Sequence, residues 1–155
     1  MKNRSCVLLL VMMFAATAVC LAADNAAMGT WKLNESKSKI ATGMPNNHTV
    51  VYAAEGDKVK VTVDGVDSKG NSTRTEWTGK FDGNDYPVTG DPTTDSRSYK
   101  LINDHTMDLT NKKDGKVVST GHAVVSPDGR TRTVTVKAKD NTGKEVTSVT
   151  VYDKQ

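Results

Sequence analysis

Residues 58–77 read Lys58-Val59-Lys60-Val61-Thr62-Val63-Asp64-Gly65-Val66-Asp67-Ser68-Lys69-Gly70-Asn71-Ser72-Thr73-Arg74-Thr75-Glu76-Trp77. In an extended chain Val59, Val61 and Val63 share one face, and Lys58, Lys60 and Thr62 share the other. The turn formers Ser68-Lys69-Gly70-Asn71 interrupt, after which Thr75 and Trp77 stand opposite Arg74 and Glu76. Apolar alternation, a glycine-bearing turn and apolar alternation again predict an antiparallel hairpin with one buried and one wet face.

The same cadence extends outward in both directions. Turn signals stand at Glu55-Gly56-Asp57, Ser68-Lys69-Gly70-Asn71, Asp82-Gly83-Asn84, Asn103-Asp104, Asp114-Gly115, Asp128-Gly129 and Asn141-Thr142-Gly143. They divide residues 48–152 into eight short runs, and Gly29-Thr30-Trp31-Lys32-Leu33-Asn34 adds a first strand. Such spacing predicts an all-β protein, a single antiparallel up-and-down meander barrel of about 8–10 strands, because an open meander would leave two long exposed edges. Residues 35–47 lack a sustained apolar stripe and are expected to form a loop with at most one helical turn. Residues 82–95 form the one long connection. Pro87, Gly90 and Pro92 disfavour a central strand there, so a loop or edge segment over a barrel mouth is expected, with residues 86–92 as a lid.

Other runs alternate in the same way. Thr75, Trp77 and Phe81 oppose Arg74, Glu76 and Lys80; Tyr99 and Leu101 oppose Lys100; Met107 and Leu109 oppose Asp108 and Thr110. Val134, Val136 and Ala138 are read against Arg132, Thr135 and Lys137, and Val149 and Val151 against Thr150 and Tyr152. The apolar side chains are expected to face inward.

Residues 1–23 read as a secretory signal peptide rather than as fold. Lys2 and Arg4 precede the apolar core from Val7 to Phe14, and small residues offer cleavage after Ala22 or Ala23. The expected location is therefore periplasmic or extracellular, with residues 24–155 as one barrel domain. The charge-free run from Cys6 to Ala23 is long enough for an uncleaved anchor, but its basic start and alanine-rich second half favour a cleaved signal. No membrane span is then expected after cleavage. Both cysteines, Cys6 and Cys20, leave with the signal, so the remaining domain must be stable without disulfides. Losing Lys2 and Arg4 leaves 19 basic against 18 acidic residues, a balance of +1. That balance gives no general electrostatic footprint for nucleic acid. Arg130, Arg132, Lys137 and Lys139 are read as a solvated strand face flanked by Asp128 and Asp140.

Gly29-Thr30-Trp31-Lys32-Leu33 is similar to the Gly-x-Trp opening of the calycins, the lipocalins and fatty-acid-binding proteins. Thr150-Val151-Tyr152-Asp153-Lys154 is similar to the Arg-x-Tyr ending of the fatty-acid-binding branch. From Gly29 to Gln155 the chain also resembles small secreted bacterial lipocalin-like (calycin-type) β-barrel proteins of unassigned function, through Phe81-Asp82-Gly83-Asn84-Asp85-Tyr86-Pro87-Val88, Ser126-Pro127-Asp128-Gly129 and Val151-Tyr152-Asp153-Lys154. The resemblance implies that Trp31 closes one end of a barrel. It also implies a basic side chain over the indole, and without arginine in the last strand Lys154 or a residue of another strand would supply it. Thr150 stands where the fatty-acid-binding ending has arginine, so that carboxylate clamp does not carry over.

Catalytic and metal motifs are sparse. His48, His105 and His122 lie far apart, no nucleophile elbow occurs, and no zinc motif is present. Asp82, Asp85, Asp91 and Asp95 supply oxygen ligands of the kind calcium takes, but turn chemistry accounts for them as well. No cofactor and no metal are expected. A barrel of this size is either filled or holds one small ligand. With seven aromatics after residue 23 and inward positions dominated by Val and Thr, a cavity is the favoured expectation. The expected function is non-catalytic binding of a small, partly apolar or amphipathic molecule by Tyr52, Trp77, Tyr99 and Tyr152. The rivals are a filled-barrel module binding a protein or envelope polymer, and a calycin-type enzyme using His122 or His105 opposite inward acids. Oligomeric state is not legible.

Overall fold

The computed structural model describes residues 25–140 and 142–155. The signal-peptide expectation falls on residues outside that range. Ten strands follow in order: β1 (Gly29–Leu33), β2 (Asn46–Glu55), β3 (Lys58–Val66), β4 (Ser72–Gly79), β5 (Tyr86–Thr89), β6 (Ser96–Asn103), β7 (Thr106–Lys113), β8 (Lys116–Val125), β9 (Thr131–Lys139) and β10 (Glu145–Lys154). Each pairs antiparallel with its chain neighbours, and β1 pairs with β10 to close the barrel. This is the up-and-down barrel the turn cadence predicts, within the general class that contains lipocalins and fatty-acid-binding proteins. The one helical turn, Glu35–Lys37, is a 3-10 turn capped by the Asn34 side chain.

The quoted hairpin forms as read. β3 and β4 pair in the register Val61 to Trp77 and Val63 to Thr75, and Val59, Val61, Val63 and Trp77 are all buried. Gly56 and Gly129 sit in hairpin turns at φ values of 63° and 70°, which side chains bearing Cβ adopt only at a cost.

Three expectations need correction. Residues 86–89 are not a lid: they form β5, a strand of the barrel wall, paired through Trp77–Val88 on one side and Tyr86–Arg97 on the other. Pro87 is tolerated because each ladder of this four-residue strand holds only two residue pairs, so few N–H donors are needed. Arg132 is not solvated. It shares its face with Val134 and is 3% exposed. The last strand is inverted: Ser148 and Tyr152 are buried inside, while Val149 and Val151 face outward and are half-buried. Residues 34–39 run beside them, with Asn34 and Lys39 donating backbone hydrogen bonds to the Val151 and Val149 carbonyls at 2.8 and 2.7 Å. That segment shields the outer valines, so the apolar side of β10 does not mark the interior.

The antiparallel path gives the barrel two unlike ends. At one, where β2 turns into β3 and β8 into β9, Trp31 is fully buried and donates from Nε1 to the Ala27 carbonyl at 2.7 Å. Ala27, Val59, Phe81 and Val125 belong to the same apolar cluster. Lys154 lies across the indole, its Nζ 5.2 Å from the ring centroid, in the place the resemblance implies for a basic residue. At the other end, where β7 turns into β8 and β9 into β10, the interior side chains are polar or small. Arg97, Asn111, Ser119, Thr73, Ala138 and Val146 there are only half-buried.

Candidate functional site

The four aromatic candidates come from four strands and converge inside the barrel. Tyr52 (β2), Trp77 (β4), Tyr99 (β6) and Tyr152 (β10) are each between 1% and 3% exposed. Their inward placement follows from period-2 alternation on strands whose outer faces carry Lys, Thr and Asp. Trp77 and Tyr99 meet edge to face at 4.8 Å, and Tyr52 meets Tyr99 at 6.1 Å. Phe81 stacks against Trp77 at 6.3 Å, and Tyr86 abuts it at 5.6 Å. These offset and edge-on geometries are the ones aromatic quadrupoles favour. Five rings therefore fill the half of the barrel toward Trp31. The expectation of a wide cavity does not hold in that half.

Tyr152 joins the group through a residue that sequence reasoning missed. The Arg132 guanidinium lies 4.8 Å from the Tyr52 ring centroid and 5.8 Å from that of Tyr152. Its Nη2 donates to the Tyr52 hydroxyl at 2.7 Å. Among the described residues its Nε and Nη1 have no hydrogen-bond partner, although both are buried. A second guanidinium stands on β6. Arg97 donates from Nε to Asn111 Oδ1 at 2.5 Å and from Nη1 to the Tyr99 hydroxyl at 3.3 Å, and Asn111 in turn donates to Ser119 Oγ at 2.8 Å. The signal that could have found Arg132 was parity, since 132, 134, 136 and 138 fall on one face of β9.

The electrostatics of this interior are one-sided. Burial pushes the Tyr52 phenol well above its ordinary range, with the Arg132 charge acting in the opposite direction. Burial also raises Tyr152. Burial opposes the Arg97 charge, but Tyr99, Tyr52 and Asp91 together outweigh it and raise the pKa. Tyr52 and Tyr152 are therefore neutral at neutral pH and cannot balance the guanidiniums. Among the described residues, no salt bridge involves Arg97 or Arg132; ion pairs such as Lys60–Glu76 and Arg74–Asp64 lie on the outer face.

Other candidates are spent elsewhere. Asp82 accepts from the Asn84 backbone N–H at 2.9 Å and from the Tyr86 hydroxyl at 2.9 Å, and Asp91 accepts from the Thr93 N–H at 2.8 Å. Asp85 binds Lys112 at 2.6 Å, and Asp95 accepts from the Asp114 N–H at 2.7 Å. These four carboxylates do not converge. Among the described residues no group of three His, Cys, Asp or Glu is placed to hold a metal ion. His122 contacts Asp108 at 2.6 Å on the outer face of the barrel, beside an open depression of about 330 Å³, and His105 lies 3.2 Å from the Val125 carbonyl. A second depression, about 210 Å³, opens near Asn25, Lys58 and Phe81 at the Trp31 end. Among the described residues no helix is long and apolar enough to cross a membrane.

Among solved structures, the chain is similar to a redesigned β-barrel bound to DFHBI, at 12% sequence identity and a TM-score of 0.45, over 88% of this chain and 100% of that one. No protein-family model and no curated protein matches the chain.

Proposed function

We propose that this protein is an exported, non-catalytic binding protein that holds a small, partly apolar molecule inside its barrel. The convergence of Tyr52, Trp77, Tyr99 and Tyr152 on one interior, with guanidiniums bonded to the Tyr52 and Tyr99 hydroxyls, carries the reading. Sites of this kind combine apolar rings with a few fixed polar groups that orient a ligand. The molecule enters from the end lined by Asn111, Ser119 and Val146, since the opposite end is packed around Trp31. Export is supported by the signal-like residues 1–23. Kinship with secreted lipocalin-like proteins is supported by Trp31 under Lys154 and by Tyr152 near the terminus. The non-catalytic part rests on the interior chemistry, because guanidiniums and phenols with raised pKa bind and orient but do not exchange protons near neutral pH.

A second reading, an interaction module working through its surface, draws on exposed Ile102, Val117 and Val124, which are 51%, 58% and 40% accessible. Native mass spectrometry of the protein purified from its own host separates the two. Recurrent added mass in the small-molecule range is expected. Repeated ligand-free spectra alongside a retained protein partner would transfer the assignment to the surface.

A further inference from the structure

We infer that the molecule held in the barrel is a compact organic carboxylate and that Arg132 is the residue that holds it, an inference resting on the small-molecule reading above. Arg132 is 3% exposed, and its Nε and Nη1 carry three of the guanidinium's five N–H donors without a partner. A buried donor left unmade costs the full desolvation of that group, and a buried charge costs more. The faces of Tyr52 and Tyr152 offset part of the charge, but they do not accept these donors along the guanidinium edge.

The sign of the missing group follows from its surroundings. Arg97 adds a second positive charge to the same hydrogen-bonded interior through Tyr99; Asp91 acts on Arg97 from beyond ion-pair distance, and among the described residues no acid forms an ion pair with either arginine. A cationic or neutral ligand would leave the charge unbalanced. An anion would satisfy both the charge and the open donors, and the planar fork of arginine matches the two oxygens of a carboxylate. The size of the ligand follows from the rings. Trp77, Tyr99, Phe81, Tyr52 and Tyr86 fill the space toward Trp31, so a long acyl tail has no room there. A short-chain or aromatic carboxylate meets that limit, with its head at Arg132, whose cross-strand neighbours are Val125 and Tyr152.

Titration of the purified exported protein with benzoate, benzyl alcohol, palmitate and inorganic phosphate, read by calorimetry and tryptophan fluorescence, tests this. Benzoate is expected to bind, benzyl alcohol and phosphate to bind at least about tenfold more weakly, and palmitate to fail. Arg132→Gln should weaken benzoate about 10- to 100-fold, as expected for a lost charge-assisted hydrogen bond, with Arg132→Lys in between. If Arg132→Gln does not fold, the wild type still decides: affinity should fall once the pH drops below the ligand's own carboxyl pKa. Equal binding of benzoate and benzyl alcohol, or benzoate binding indifferent to Arg132 and to ligand ionisation, would overturn the carboxylate while leaving the barrel reading intact. Tighter phosphate or palmitate would also overturn it. No binding by any probe, together with ligand-free native spectra, would bring down both.

Discussion

The two ends of this barrel are built from the same kind of strand but solve opposite problems. Toward Trp31 the interior is closed, aromatic and anchored by hydrogen bonds to the chain's own backbone, as in Trp31 Nε1 to Ala27. Toward Val146 it is half-buried and polar, and its guanidinium Arg97 is held by an amide and a phenol rather than by an acid. The contrast separates packing from polarity. Burial at the first end holds the barrel shut, while the second gives up packing and leaves polar side chains half-exposed. Arg132, opposite Val125 in the register, is buried like the first and polar like the second.

Truncation at each end is the strongest way to break that comparison. Trp31→Ala is expected to cost about 3–5 kcal/mol, from lost transfer energy and the cavity left in a packed cluster. Val146→Ala at the open end should cost about 1 kcal/mol, since its side chain is only half removed from water. Urea denaturation of both variants measures this. Equal losses would mean that the ends are packed alike and that the polar end is no entrance.

Much of this division could be read from the residues. Val59-Lys60-Val61-Thr62-Val63 and Val134 to Ala138 alternate so cleanly that their inner faces are legible, while a closing Trp31 is implied only by the resemblance of the Gly-x-Trp opening. At Arg132 charge and parity conflict: arginine is rarely fully buried, which groups it with Thr135 and Lys137, while its position in the alternation puts it on the face of Val134. Val149 and Val151 misled for a different reason. They are shielded from outside by residues 34–39, a non-local contact that no periodicity in β10 records. β5 was hidden by its brevity, since four residues including Pro87 carry too little pattern to outweigh the proline.

The boundary between the two ends can be sharpened by alkaline titration. Tyr52 and Tyr152 have folded pKa values raised above the ordinary 10.0, chiefly by burial. Above about pH 10 the unfolded chain releases these protons and the folded chain does not, so stability is intact below that pH and is lost as pH rises toward the folded values. The loss should approach about 1.4 kcal/mol per pH unit for each phenol. Tyr52→Phe should flatten the slope in a series of urea midpoints from neutral pH to pH 11. Phenols that ionise near pH 10 without loss of stability would mean that water reaches past Arg132, moving the boundary toward Trp31.

The smallest effect concerns the lid over the closed end. Lys154 spans the Trp31 ring and also reaches the Ala26 carbonyl at 3.4 Å, so it ties the last strand to the segment preceding β1. An exposed cation on an indole face is worth about 0.5–1 kcal/mol. Lys154→Ala should lower stability by that amount, and Lys154→Arg should restore it, because a guanidinium stacks on indole at least as well as an ammonium. Lys154→Met separates charge from cover, since it keeps most of the alkyl stem. If Met restores stability as fully as Arg, the residue works by shielding the ring. If only Arg restores it, the closed end is held by the same cation–ring attraction that flanks Arg132 deeper in the barrel, where the cation keeps unused donors and the one at the rim does not need them.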